Sequence, residues 1–339
     1  MHRLKNYIIT NFSSLFLSIF LPLFTVASMI LFINISTYTA VIQLTVTDML
    51  KLYLFNLPHI LFFTLPVTFF TAAALTLFRL STDNEMVVLF SLGIKPNFLL
   101  KTLLKPAIFL SLTLFVNFYL LFPHTLSLSS NFISYKKSEA KFNLSASEFG
   151  NSFGDWLLYL GKKNKDDSFS KVFLFNKNEK EEILIAAQRA TVVNDSGVLK
   201  LKLFIGEGYS YSKEKFTQVN FETMIINDTM KTRVSKYEKS FEYWFEHPEK
   251  NSHREMFITN FLLSLFPVLS LYIIASIGII HARHGKSQIY LYIFLSILTF
   301  YGLSIVLQKI LYYYTILVVI VAYTSVGYYF YRKNILSRF

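Results

Sequence analysis

Few side chains in this sequence stand at spacings that could carry out a reaction. Gly285-Lys286-Ser287 has the tail of a phosphate-cradling loop, but the first glycine of that motif would fall at Ile280 and no strand precedes it. The plain reading is a basic turn between two apolar segments. There is no HExxH, no GxSxG and no pair of carboxylates within an apolar run, and the chain has no cysteine. His59 lies inside one apolar run and His124 at the end of another, where an ionisable group is a candidate for a proton path or, more simply, a neutral ring facing a neighbouring helix. The sequence thus offers no catalytic residue, metal site or cofactor site. What remains is Glu85, one of three acidic residues outside positions 125–256, the others being Asp48 and Asp83. It reads either as the N3 member of a helix capping box with Thr82 or as a docking point for a basic groove on a partner.

The element that must position Glu85 is Arg79 to Pro96, RLSTDNEMVVLFSLGIKP, a polar island in an apolar third of the chain. Thr82 and Glu85 at capping-box spacing predict a helix start, and Gly93 followed by Pro96 predicts its end, giving a short helix over 83–92. Met86, Val87, Leu89 and Phe90 recur at helical spacing and predict one apolar face, suited to a bilayer surface or a groove.

Only 16% of the residues are charged, well below the ~25% of soluble domains, which assigns the chain to the membrane class. Uncharged runs predict six transmembrane helices, at Phe12–Ile35, Leu52–Phe78, Pro106–Pro123, Phe257–Ile280, Gln288–Leu307 and Leu311–Tyr331. None contains Asp, Glu, Lys or Arg, so an ion-coupled transporter is disfavoured and an external energy source is expected. Of the formal +12 charge, +10 belongs to these membrane parts and is scattered over short loops, which fits topology and anionic lipid rather than nucleic acid. With a cytoplasmic N terminus the inner loops hold eleven Lys and Arg, including Arg283 and Lys286, against Lys51 and Lys309 outside. Both termini are therefore expected in the cytoplasm, with the long middle segment on the far side.

Three parts follow: 1–124 with helices one to three and the short helix, 125–256 as a soluble domain, and 257–339 with helices four to six. The middle part alternates with period two, as in Leu199, Leu201, Leu203 and Ile205 against Lys200, Lys202 and Phe204, and turn residues at Asn194–Gly197 and Gly161–Ser168 separate its strands. An antiparallel sandwich, jelly roll or related open β structure is expected. Leu199, Leu201, Leu203 and Ile205 fall on one face, either as ordinary core or as an apolar groove.

Three spans, a far-side β domain and three more spans resemble the LptF/LptG permease family, the transmembrane subunits of the lipopolysaccharide export ABC transporter. Glu85, Val87-Val88 and Gly93 are similar to that family's loop pattern. Arg283, Gly285 and Lys286 resemble a loop of the LptF branch, and Val172-Phe173-Leu174 and Asp195-Ser196-Gly197 also look closer to LptF. The first span lacks the lysine that LptG members tend to carry. The resemblance implies a jelly-roll-like periplasmic domain and an inner-membrane location. It makes 83–92 a coupling helix, with Glu85, Met86, Val87, Leu89, Phe90 and Gly93 seating in an LptB-like ATPase dimer. It further implies an LptG-like second half, LptC- and LptA-like β proteins, and lipopolysaccharide as cargo, for whose acyl chains the Leu199–Ile205 face would be a groove. The alternative is a membrane-anchored sensor or scaffold whose β domain binds a ligand.

Overall fold

In hydrocarbon a backbone must satisfy its own hydrogen bonds, so long apolar runs become helices. The computed structural model describes residues 2–337 except 40, 41, 43, 144–150, 154, 155, 165, 167, 178–180, 196, 197, 213, 214, 228–239, 247–249 and 281–287. Helix α1 covers His2–Thr39 and α2 covers Val46–Thr82, both longer than the uncharged runs that announce them. A short helix, α3 (Glu85–Ser91), leads into α4 (Pro96–Val116), a π turn at Asn117–Leu121 and α5 (Phe122–Asn143). After the β strands come a π turn at Glu242–Glu246, α6 (Lys250–Leu269), α7 (Leu271–Gly278), α8 (Ile289–Leu311) and α9 (Tyr314–Tyr331). Among the described residues five helical runs are long and apolar enough to span a bilayer, and α6 with α7, bent by 46°, makes a sixth if counted as one span.

The chain divides into two compact units. One comprises residues 1–33, 53–125 and 238–339; the other comprises 34–52 and 126–237. In the first, α2 is the central helix: Phe69, Phe70, Ala72, Ala73, Ala74 and Leu77 are all buried. Its polar side chains back-bond to carbonyls of the preceding turn, Thr64 to Ile60, Thr68 to Thr64 and Thr76 to Ala72, which makes them tolerable inside apolar surroundings. The third span extends beyond the expected Pro106–Pro123 in both directions. Pro96 stands at the first helical turn, where a missing N–H does no harm. At the other end Pro123 cannot donate to the Tyr119 carbonyl four residues back, and the buried Trp244 indole N–H donates there instead at 3.2 Å. Pro267 removes a bond from α6, Ser270 bonds back to its carbonyl, and the axis turns between α6 and α7.

The second unit carries the β domain as a six-stranded antiparallel meander in chain order: β1 (Asn151–Phe153), β2 (Trp156–Leu160), β3 (Phe169–Lys177), β4 (Glu181–Asp195), β5 (Val198–Ser212) and β6 (Lys215–Asn227). Leu158, Leu160, Val172, Leu174, Ile185, Ala190, Leu201 and Leu203 form its buried cluster. The alternation is broken once in each of four strands, and at one row. Lys171, Gln188, Ile205 and Glu222 lie opposite one another and are skipped by the ladder on both sides. Lys171 and Ile205 have φ of 54° and 48°, left-handed values that a β-branched residue rarely adopts. Across this row the buried positions step by three instead of two, from Phe169 to Val172 and from Ala187 to Ala190. The row is a line of kinks shared by β3 to β6.

Candidate functional site

Helix α3 begins differently from the sequence expectation. Thr82 is the last residue of α2 and its hydroxyl bonds back to the Arg79 carbonyl at 2.9 Å, so it is not available to cap α3. Asn84 occupies the cap position at φ 62° with no side-chain cap bond. The capping box is therefore corrected to a two-residue break, Asp83-Asn84, between helices. The C terminus follows expectation: Gly93 has φ 81°, its amide bonds to the Phe90 carbonyl at 3.0 Å, and the Ile94 amide to the Leu89 carbonyl at 3.1 Å. These two bonds form a Schellman motif with glycine at C′.

The faces of α3 also divide differently. Met86 is 1% exposed and points into the unit, Leu89 and Phe90 are half-buried, and Val87, Val88 and Leu92 form the outward apolar ridge, with Leu92 73% exposed. Met86 is thus corrected from a contact residue to an anchor, because a seven-residue helix packed on the bundle turns one side inward. Glu85 is half-buried, and the Tyr7 hydroxyl of α1 donates to both of its carboxylate oxygens, at 2.8 and 2.9 Å.

Both flanks of α3 are fastened to other helices. Before it, the buried Ser81 hydroxyl lies 2.9 Å from the Leu77 carbonyl and 3.1 Å from the Gly278 carbonyl at the end of α7, and it accepts the Ile280 amide at 3.3 Å. At Gly278 α7 lies close against α2; a Cβ there would fall 2.6 Å from the Leu77 Cβ and 2.8 Å from the Ala74 carbonyl. After it, the Tyr331 hydroxyl at the end of α9 donates to Asn97 Oδ1 at 2.6 Å, and the Lys5 ammonium lies 5.7 Å over the Phe98 ring. A displacement of α3 is therefore shared with α1, α7 and α9. An arrangement of this kind ties a short surface helix to several spans.

In the β unit, Leu201 and Leu203 are wholly buried in the cluster, whereas Ile205 is 59% exposed. The expectation that these residues share one face is corrected by the kink at Ile205, which turns its side chain out of the period-two series. Leu199 lies in β5, and its side chain is outside the described residues. Along the kinked row opens a cavity of about 740 Å3 bordered by Lys171, Phe173, Gln188, Ile205, Phe221 and Glu222. Among the described residues no three His, Asp or Glu side chains converge as a metal site.

The family described as lipopolysaccharide export system permease LptF/LptG matches residues 6–331, nearly the whole chain. The chain belongs to the LptF/LptG family. It is accordingly an inner-membrane permease subunit for lipopolysaccharide export, and the match takes in both branches of the family. No curated relative matches it. Within this LptF/LptG permease, Arg283 and Lys286 fall outside the described residues. The structure brings together Glu85, Met86, Val87, Leu89 and Phe90 on one short helix, with Gly93 just past its end, and places Leu201, Leu203 and Ile205 in the other unit. Sequence reasoning missed Leu92 as part of the ridge, although helical spacing from Val88 marks it. It also missed Tyr7, Ser81 and the Asn97–Tyr331 pair, whose partners lie far away in the chain and leave no local signal.

Proposed function

We propose that this chain is one half of a heterodimeric ABC permease, of the LptF type, that uses the closure of a separate cytosolic ATPase dimer to move lipopolysaccharide out of the inner membrane. The observation that carries this reading is the setting of α3: an exposed apolar ridge whose Glu85 is bonded to α1 and whose flanking residues, Ser81 of α2 and Asn97 of α4, are bonded to α7 and α9. The Lys and Arg distribution supports a cytoplasmic α3 and termini, with the β unit in the periplasm. Val87, Val88 and Leu92 enter a groove of the LptB-like ATPase while Glu85 meets a basic side chain there. On ATP binding α3 moves, the attached spans follow, and the cavity between this half and an LptG-like half narrows around the lipid. The amphiphile then passes to the β unit and on to LptC- and LptA-like β proteins. Among the described residues β6, thirteen residues long, is an edge strand of the sheet, a position suited to strand addition.

The test is purification of the intact protein from its own membranes in mild detergent, followed by identification of what accompanies it and an ATPase assay. Recovery of a soluble ATPase and a second six-span protein is expected, with hydrolysis lost in Glu85→Lys. Normal lipopolysaccharide export by Glu85→Lys would overturn the assignment of α3.

A further inference from the structure

We infer that Tyr7 is the positioning residue for Glu85 and the link through which α1 follows α3. This rests on the reading of α3 as the helix that meets the ATPase. The Tyr7 hydroxyl sits almost equally far from the two carboxylate oxygens, at 2.8 and 2.9 Å, so it approaches from between them. A carboxylate has about four acceptor sites. A donor held between the oxygens takes the inner lone pairs, the edge a bidentate guanidinium would use, and leaves the two outward lone pairs for single donors, such as a lysine ammonium or one guanidinium N–H on the partner. Tyr7 thus fixes the direction of Glu85 and leaves its outward lone pairs to meet a basic groove one donor at a time.

The attachment of α1 gives this bond its mechanical weight. Around its first three turns the helix is seated: Ile8 and Phe12 are buried, the Phe12 ring meets Phe69 of α2 at 5.3 Å, and Lys5 lies over Phe98 of α4. Further along, Leu17, Leu21, Val26, Met29, Ile30 and Ile33 are all exposed. In α1 the end beside α3 is gripped and much of the remainder presents apolar surface. A pull on Tyr7 is therefore applied at the gripped end, and the continuous helix carries it into the exposed portion, past Pro22, which removes one backbone bond.

The experiment compares Tyr7→Phe, Tyr7→Gln and Glu85→Lys in the complete complex, reconstituted in liposomes containing lipopolysaccharide. ATP hydrolysis and the lipopolysaccharide photo-crosslinked to a soluble acceptor β protein are measured in the same sample. In Tyr7→Phe the ATPase is expected to remain bound and to hydrolyse ATP within about twofold of the parent, while lipid released per ATP falls about fivefold, the loss of one charge-assisted bond at a half-exposed site. Tyr7→Gln keeps an N–H donor and is expected to restore at least half of that ratio. An unchanged ratio in Tyr7→Phe, with Glu85→Lys inactive, refutes the role of Tyr7 and leaves the coupling helix standing. Loss of the ATPase from Tyr7→Phe, or no rescue by Tyr7→Gln, also refutes it and makes Tyr7 a packing residue. Unimpaired export in Glu85→Lys removes the coupling reading itself.

Discussion

Gly278→Ala is expected to loosen the seam between α7 and α2 and to lower stability by about 2 kcal/mol. Carbon atoms in contact normally sit about 3.5–4.0 Å apart. The added methyl would lie 2.6 Å from the Leu77 Cβ and 2.8 Å from the Ala74 carbonyl, neither of which is the tip of a flexible side chain. Ala72, Ala73, Ala74 and Leu77 are fully buried, so α2 has no room to recoil and α7 must retreat by about 1 Å. Overpacking of this kind costs about 1–3 kcal/mol. The same retreat stretches the Ser81 contacts to Gly278 and Ile280, now 3.1 and 3.3 Å, past bonding distance, and interhelical bonds in membranes contribute on average ~0.6 kcal/mol each. Against this stands the better helix propensity of alanine, less than ~1 kcal/mol at a terminal position. Two further glycines calibrate the measurement. Gly327→Ala meets Ile273 Cγ1 at 3.0 Å and the Tyr272 Cβ at 3.2 Å and should lose less, whereas Gly302→Ala meets nothing within 4 Å and should gain slightly. Thermal unfolding in detergent can be followed by fluorescence of the two tryptophans, Trp156 in the β unit and Trp244 in the membrane unit. A Gly278→Ala midpoint equal to or above that of Gly302→Ala would refute the steric argument.

Other perturbations have equally definite outcomes. Asp48 and Lys136 form an ion pair at 3.1 Å with both side chains largely buried, so Asp48→Ala should destabilise the protein by about 3 kcal/mol, read from its unfolding midpoint. Trp244→Phe keeps one aromatic ring but removes the donor to the Tyr119 carbonyl and leaves a small cavity; a loss of about 2–3 kcal/mol is expected, followed in a detergent melt by loss of helical circular dichroism. Ile205→Gly should leave the β unit at least as stable as before, since glycine adopts φ 48° freely and the side chain is mostly exposed; a clear drop in the Trp156 transition would show that the kink is not strained. The Ser168 hydroxyl, with Arg189 beside it, holds the Asp166 carboxyl below its usual range. A lowered folded-state value stabilises above the unfolded pKa of about 3.9 and is lost as pH falls through the folded one, so Asp166→Asn should flatten the acid side of the melting curve below about pH 4.

Much of the architecture was legible because hydrocarbon leaves the chain little choice. Uncharged runs marked every span, and Gly93 before Pro96 marked the end of α3 through its backbone conformation alone. Helix ends were less legible where polar residues continue a helix into water, as at Thr82, whose hydroxyl serves its own helix rather than the next. Met86 was assigned outward and Leu92 was passed over because periodicity identifies a face but not which way a seven-residue helix turns it. Tyr7 was invisible: its partner is 78 residues away, and nothing near it announces a carboxylate. Ile205 was misplaced because a period-two count assumes an unbroken strand, and the kink lies in backbone dihedrals.

The kinked row also acts as a ruler for the sheet. In a uniform meander, sliding one strand by two residues keeps every apolar side chain on the same face and is opposed only by the turns. Here such a slide would bring the step at Ala187–Ala190 out of line with that at Phe169–Val172, exposing apolar positions on one side of the mismatch and burying polar ones on the other. Four strands must agree on a single row. Natural length variation in this domain is therefore expected at its hairpin ends, and a grafted or shortened strand will fold in place only if it carries its break at the matching position.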